Sequence, residues 1–136
     1  MSHYQLPDDV LIDSIKDCSL DPAVFTHEAH LRLAWLQIQH HGIDQAIVNV
    51  CLGLKQFVLA LGAEDKYNET LTVSAVRAVY HFMLKSPATD FRQFITENNR
   101  LKQNFPELMG KHYSENIFVA ERAKKVYLEP DLLPFD

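Results

Sequence analysis

The chain has 136 residues, 47% of them apolar, and a formal net charge of −5. That length suits one domain around one core, and that apolar share argues against a disordered chain. The acidic balance, with no basic run longer than Lys124-Lys125, argues against the concentrated positive face that nucleic acids need. Four glycines are few for the tight turns of a sandwich or barrel. Cys18 and Cys51 show no metal-binding spacing and no CxxC pair. The first 17 residues lack the basic-then-apolar order of a signal peptide. The most apolar stretch, 43–61, is interrupted by Asn49, Lys55 and Gln56 and reads as too polar for a membrane span. The expected setting is therefore cytoplasmic, with no membrane and no nucleic acid among the partners.

Pro7, Asp8 and Asp9 mark a helix start, with proline in the first turn and acids at the positive end of the dipole. The spacing of Val10, Leu11 and Ile15 predicts a short first helix over residues 7–17. Thr26 is the N-cap of a second helix running to about His41 and stopped by Gly42. Its stripe is His27, His30, Leu31, Ala34, Trp35, Ile38 and His41, and Glu28 and Arg32 stand at i,i+4 as a surface ion pair. A link of only Gly42 and Ile43 folds the next helix back as an antiparallel hairpin. That third helix, 44–61, is apolar on so many sides that it is expected to be central in the fold.

Asn68 caps a fourth helix that ends before Pro87 and carries Glu69, Thr72, Val73, Val76, Val79, Tyr80 and Met83 on its inner face. Shorter helices are expected at 89–96, 106–109 and 114–127, followed by an extended tail holding Pro130 and Pro134. The predicted fold class is all-α: a single domain over 1–136, a compact helical bundle with three main antiparallel helices, several shorter ones and an extended C-terminal tail.

In such a bundle the second and fourth helices run in the same direction, so their starts share one end. His27 and His30, spaced i,i+3, lie roughly 5–6 Å apart at Cβ on one face. Glu69 and Thr72 begin the fourth helix, and two imidazoles and a carboxylate converge in a polar pocket. These are the ligand types of a divalent metal such as zinc or iron. Without a metal, His30 and Glu69 are the candidate acid and base of a hydrolase- or lyase-like reaction. Tyr67, Thr70, Thr72 and His112 stand near them as further ligand-binding candidates. Two helix starts favour an anion over a cation, so a polar small-molecule pocket without metal, or a purely structural role, stays open beside the metal reading.

These residues carry a resemblance. Phe25-Thr26-His27-Glu28-Ala29-His30-Leu31-Arg32, with Ala34-Trp35, resembles the F-T-H-x-x-H-L-R pattern of a family of short, uncharacterised bacterial proteins. Lys66-Tyr67-Asn68-Glu69-Thr70-Leu71-Thr72 resembles its K-Y-H-E-T-x-T pattern, and His112-Tyr113-Ser114 and Glu129-Pro130-Asp131-Leu132 are similar to its closing patterns. The likeness runs from Phe25 onward and implies a shared fold and a shared site, with no activity attached. Asn68 stands where the pattern has histidine; it is a poorer metal ligand and a better helix cap. Two functions from different classes follow. One is a small-ligand or metal-binding protein, with enzymatic activity left open. The other is an interaction or regulatory module that acts through an exposed helix face or as a homodimer.

Overall fold

A computed structural model describes residues 1–135. The structure is all-α, and no strand occurs among the described residues. The chain divides into two compact units, Met1–Tyr67 and the residues from Asn68 onward, where composition alone suggested one core.

In the first unit a 3-10 turn, His3–Gln5, precedes α1 (Asp8–Lys16), α2 (His27–His41) and α3 (Ile43–Ala60). Pro7 stands at the N-cap of α1, with Asp8 and Asp9 in its first turn. Thr26 caps α2 by accepting a hydrogen bond from the Ala29 amide. Gly42, at φ 80°, is both the last cap of α2 and the first of α3. The single-residue link depends on a backbone conformation that costs glycine nothing. Gly62, at φ 69°, ends α3 in the same way.

The three helices pack on one another and bury Leu11, Ile15, Leu31, Trp35, Leu36, Val50 and Phe57. The central helix is α2, not α3, which corrects the expectation from sequence. Residues 31–38 of α2 are buried without a break, Arg32 and Gln37 included. Helix α3 instead leaves Val48, Leu52 and Leu59 more than half exposed. The polar residues of α2 are tolerated inside because each has a partner. Gln37 Oε1 accepts from Asn49 Nδ2 at 2.9 Å, and Asn49 Oδ1 accepts from Gln45 Nε2 at 2.8 Å, a polar seam that fixes the α2/α3 register. By length and a mean hydropathy of 1.3, α3 does meet the measure of a membrane-spanning helix, so the reading of this stretch as too polar is corrected. A helix packed in a folded core meets the same measure, and α3 packs against α1 and α2.

The second unit begins with α4 (Glu69–Met83) and continues through α5 (Phe91–Glu97), α6 (Arg100–Gln103), α7 (Phe105–Gly110) and α8 (Glu121–Lys125). Asn68 and Asp90 cap α4 and α5 with their side-chain oxygens. Val76, Val79, Phe94, Leu101, Met109 and Ile117 are buried there. The inner face of α4 is rotated from the expected one: Thr70 and Ser74 are fully buried, while Glu69 and Thr72 are only half-buried. The helix expected over 114–127 shrinks to α8. Residues ahead of it are held in turns instead: Asn68 Nδ2 donates to the Ile117 carbonyl at 2.8 Å, and Asn116 Oδ1 accepts the Phe118 amide at 3.0 Å.

Candidate functional site

The start of α2 is built almost entirely by its own motif. Thr26 Oγ1 accepts from the Ala29 amide at 3.3 Å, which fixes the first turn. The Thr26 carbonyl accepts twice, from the His30 amide at 3.0 Å and from His30 Nδ1 at 2.9 Å. A carbonyl can only accept, so Nδ1 carries the proton and Nε2 keeps its lone pair. Phe25 stacks on the His30 ring at 3.8 Å and turns its edge to Phe57 of α3 at 5.2 Å. Burial is the main reason the His30 pKa is pushed down to about 4; the Thr26 hydrogen bond opposes that shift and the neighbouring His27 adds to it. His30 is thus a neutral imidazole of fixed tautomer at physiological pH. Its Nε2 makes no hydrogen bond among the described residues. His27 is exposed beside it.

Arg32, the last residue of the motif, turns inward rather than pairing on the surface with Glu28. Its Nη1 donates to the His3 carbonyl at 2.6 Å, and its Nη2 donates to the Leu6 carbonyl at 2.8 Å and to Asp8 Oδ1 at 2.7 Å. Nη1 also faces His3 Nδ1 at 3.4 Å. Arginine only donates, so that nitrogen is the acceptor and His3 Nε2–H donates to Glu28 Oε1 at 3.1 Å. Tyr4 donates its hydroxyl proton to Glu28 Oε2 at 3.0 Å. Glu28 and Arg32 therefore clamp the N-terminal turn onto α2.

In the second unit Asn68 is a cap rather than a ligand: Oδ1 accepts from the Leu71 amide at 2.9 Å. Thr72 Oγ1 donates to the Asn68 carbonyl at 2.7 Å. Thr70 Oγ1 donates to the Val126 carbonyl at 2.8 Å and accepts from the Leu128 amide at 3.0 Å, so it ties the tail to α4. His112 Nδ1 donates to the Leu133 carbonyl at 2.7 Å and its ring stacks on Phe135 at 4.1 Å. Ser114 binds Asp131 through its hydroxyl and through its amide, the latter at 3.0 Å. Those two bonds, hydroxyl first, hold the Asp131 carboxyl below its usual range. The two closing motifs thus bind each other: 112–114 is the cradle and 131–133 the segment laid in it.

The predicted set is accordingly distributed. His27 and His30 belong to the first unit, where Tyr67 also lies, its ring 5.3 Å from Lys55 Nζ. Glu69, Thr70, Thr72 and His112 belong to the second. Among the described residues no three histidine, cysteine, aspartate or glutamate side chains gather to hold a metal ion, so nothing here supports a His27/His30/Glu69 metal centre. Thr70, Thr72 and His112 have structural partners that the sequence did not reveal. A cleft of about 480 Å³ lies beside α7, with Met109, Tyr113, Ser114, Asn116 and Phe118 in its walls, and none of the predicted residues lines it.

Sequence reasoning missed a polar ladder on α4. Thr70, Ser74 and Arg77 stand at i, i+4 and i+7, one face of a helix. Ser74 Oγ lies 3.0 Å from Tyr113 Oη, which donates its own proton to the Leu128 carbonyl at 2.7 Å, so Ser74 is the donor between them. The Arg77 guanidinium carbon lies 5.6 Å from the Tyr127 ring centroid. Burial, first among several causes, raises the pKa of both phenols. The signal was the spacing of Thr70, Ser74 and Arg77 along one face of the helix.

No protein-family model, no curated protein and no solved structure matches the chain. What the fold and geometry define is an all-α protein with a preset imidazole at a helix start.

Proposed function

We propose that this is a cytoplasmic protein that binds a small polar molecule at the start of α2, through the neutral imidazole of His30 with His27 at the rim. One observation carries the reading: Nδ1–H is committed to the Thr26 carbonyl while Nε2 keeps an unused lone pair. That lone pair accepts a hydrogen bond from a ligand donor, and no proton competes for it at neutral pH. With a pKa near 4, His30 is too weak a base to take up protons efficiently at pH 7, so binding is favoured over general-base catalysis. An imidazole whose far N–H rests on a backbone carbonyl is also the arrangement that orients metal-ligating histidines. A divalent ion such as zinc or iron is therefore the second ligand class to try. Membership of the bacterial family with the F-T-H-x-x-H-L-R pattern belongs to this proposal.

The test is native mass spectrometry of untagged protein, wild type against His30→Ala, followed by thermal melts with zinc, ferrous iron and manganese. A bound small mass, or a metal-induced melting shift, that disappears in His30→Ala supports the site. No adduct and no metal response in the wild type, or a response that His30→Ala leaves intact, removes it.

A specific observation favours a second reading, an interaction module. Val48, Leu52 and Leu59 share one face of α3, at 56%, 54% and 63% exposure. A stripe of that kind on a helix surface suits a partner or a second copy of the chain. Light scattering of the wild type and of Leu52→Glu separates a homodimer from a monomer.

A further inference from the structure

We infer that the outer end of the α4 ladder, formed by Arg77 and Tyr127, is a binding site for a small oxyanion, a carboxylate or phosphate group. The first two rungs of the ladder are complete: Thr70 has two backbone partners in the tail, and Ser74 and Tyr113 satisfy each other and the Leu128 carbonyl. The third is not. Arg77 Nε and the Tyr127 hydroxyl are both buried, and neither has a partner in hydrogen-bond geometry among the described residues, although the Tyr113 hydroxyl acts on that of Tyr127.

Arg77 Nε–H can only donate, and burial keeps the Tyr127 phenol protonated. Two buried donors, one of them cationic, thus lie on neighbouring side chains, and the oxygen that acts on the phenol, Tyr113 Oη, is already engaged by Ser74 and by the Leu128 carbonyl. Leaving such groups unpaired costs more than almost any ordinary loss of a hydrogen bond, so what completes them is an acceptor, and a charged one for a guanidinium. The Arg77 guanidinium carbon lies 5.6 Å from the Tyr127 ring centroid, so the cation and the phenol are neighbours, and a guanidinium fork binds carboxylate and phosphate oxygens alike. Arg77 and Tyr127 are each only partly buried as residues, whereas Thr70 and Ser74 are fully buried, so this end of the ladder is the one nearest solvent. Glu129 acts electrostatically on both tyrosines and is the one nearby carboxylate that competes for the place.

The experiment follows the Arg77 Nε–H resonance of the full chain while inorganic phosphate or acetate is added, against chloride at matched ionic strength. A saturable shift with either anion is expected. Tyr127→Phe, which removes one hydroxyl and no carbon, and Arg77→Lys, which keeps the charge without the Nε donor, should each weaken binding about tenfold, the value of one hydrogen bond, read at the backbone amide of residue 127 because Arg77→Lys removes the Nε–H signal itself. Phosphate acting without acetate assigns a phosphate-bearing ligand, and acetate without phosphate a carboxylate. No shift beyond the chloride control overturns the site, and so does a shift that both variants leave unchanged. Glu129→Gln provides the last arm: if it alone moves the wild-type resonance as far as a saturating anion should, Glu129 is the occupant and the inference fails.

Discussion

Replacing Arg32 with methionine separates the two things this buried arginine does. The side chain is 6% exposed and donates to two backbone carbonyls, at His3 and Leu6, and to the carboxylate of Asp8. The Asp8 side chain is 62% exposed, so the ion pair is screened and contributes at most about 1 kcal/mol. The carbonyls are a different matter. The carbonyl of the almost fully buried His3 keeps the Leu6 amide as a second donor, so the main loss is at the Leu6 carbonyl, on the order of 1–3 kcal/mol. Methionine keeps most of the apolar stem and leaves no charge inside. Arg32→Met should therefore cost about 1–3 kcal/mol, a sizeable share of the roughly 5–15 kcal/mol of an ordinary domain. Asp8→Asn should cost less than about 1 kcal/mol. Urea denaturation followed by circular dichroism measures both, and hydrogen exchange at the Leu6 amide, which bonds to the His3 carbonyl, reports whether the N-terminal turn has come loose. If Asp8→Asn costs as much as Arg32→Met, or Arg32→Met lies within experimental error of the wild type, the reasoning about the carbonyls is wrong.

Three further outcomes are expected. Thr70→Val keeps the shape but strands the Val126 carbonyl and the Leu128 amide; it should cost about 2–3 kcal/mol and speed exchange at Leu128, and unchanged exchange there contradicts the clamp. Because the His30 pKa is lowered on folding, the unfolded chain binds a proton that the folded chain refuses between about pH 6.5 and 4, so stability falls as the pH drops through that window. Set against His30→Gln, the wild type should lose about 2 kcal/mol more between pH 7 and pH 5 in urea titrations, and parallel pH profiles would refute the burial argument. Cys18 closes α1 at φ 63°, a left-handed conformation that costs an L-residue about 1 kcal/mol. Cys18→Gly should raise the melting temperature by a few degrees unless the Sγ contact to the Gln56 carbonyl at 3.6 Å matters more, in which case it falls.

The helix ends were legible because the residues that set them act locally. Pro7, Thr26, Gly42, Gly62 and Asn68 each do in the structure what their chemistry suggests in the sequence. The inward faces were less legible. Arg32 read as a surface residue because the partners that let it be buried, Asp8 and the His3 carbonyl, are remote in sequence. For the same reason α3, the more apolar helix, looked central although α2 is. The helix expected through 114–127 failed because Ser114 and Ile117 are captured by Asp131 and Asn68, contacts that no local propensity encodes. Of the candidate site, the position of His30 one turn into a capped helix was visible. Its tautomer and lowered pKa were not, since they come from the Thr26 carbonyl, the Phe25 ring and burial.

Long-range proton–nitrogen correlation of the histidine imidazoles at pH 7, followed down in pH, observes the protonation of the His30 ring directly. His30 should show a protonated Nδ1, a bare Nε2 and a titration midpoint near 4. A proton on Nε2, or a midpoint close to that of a solvated histidine at about 6.5, would contradict that assignment.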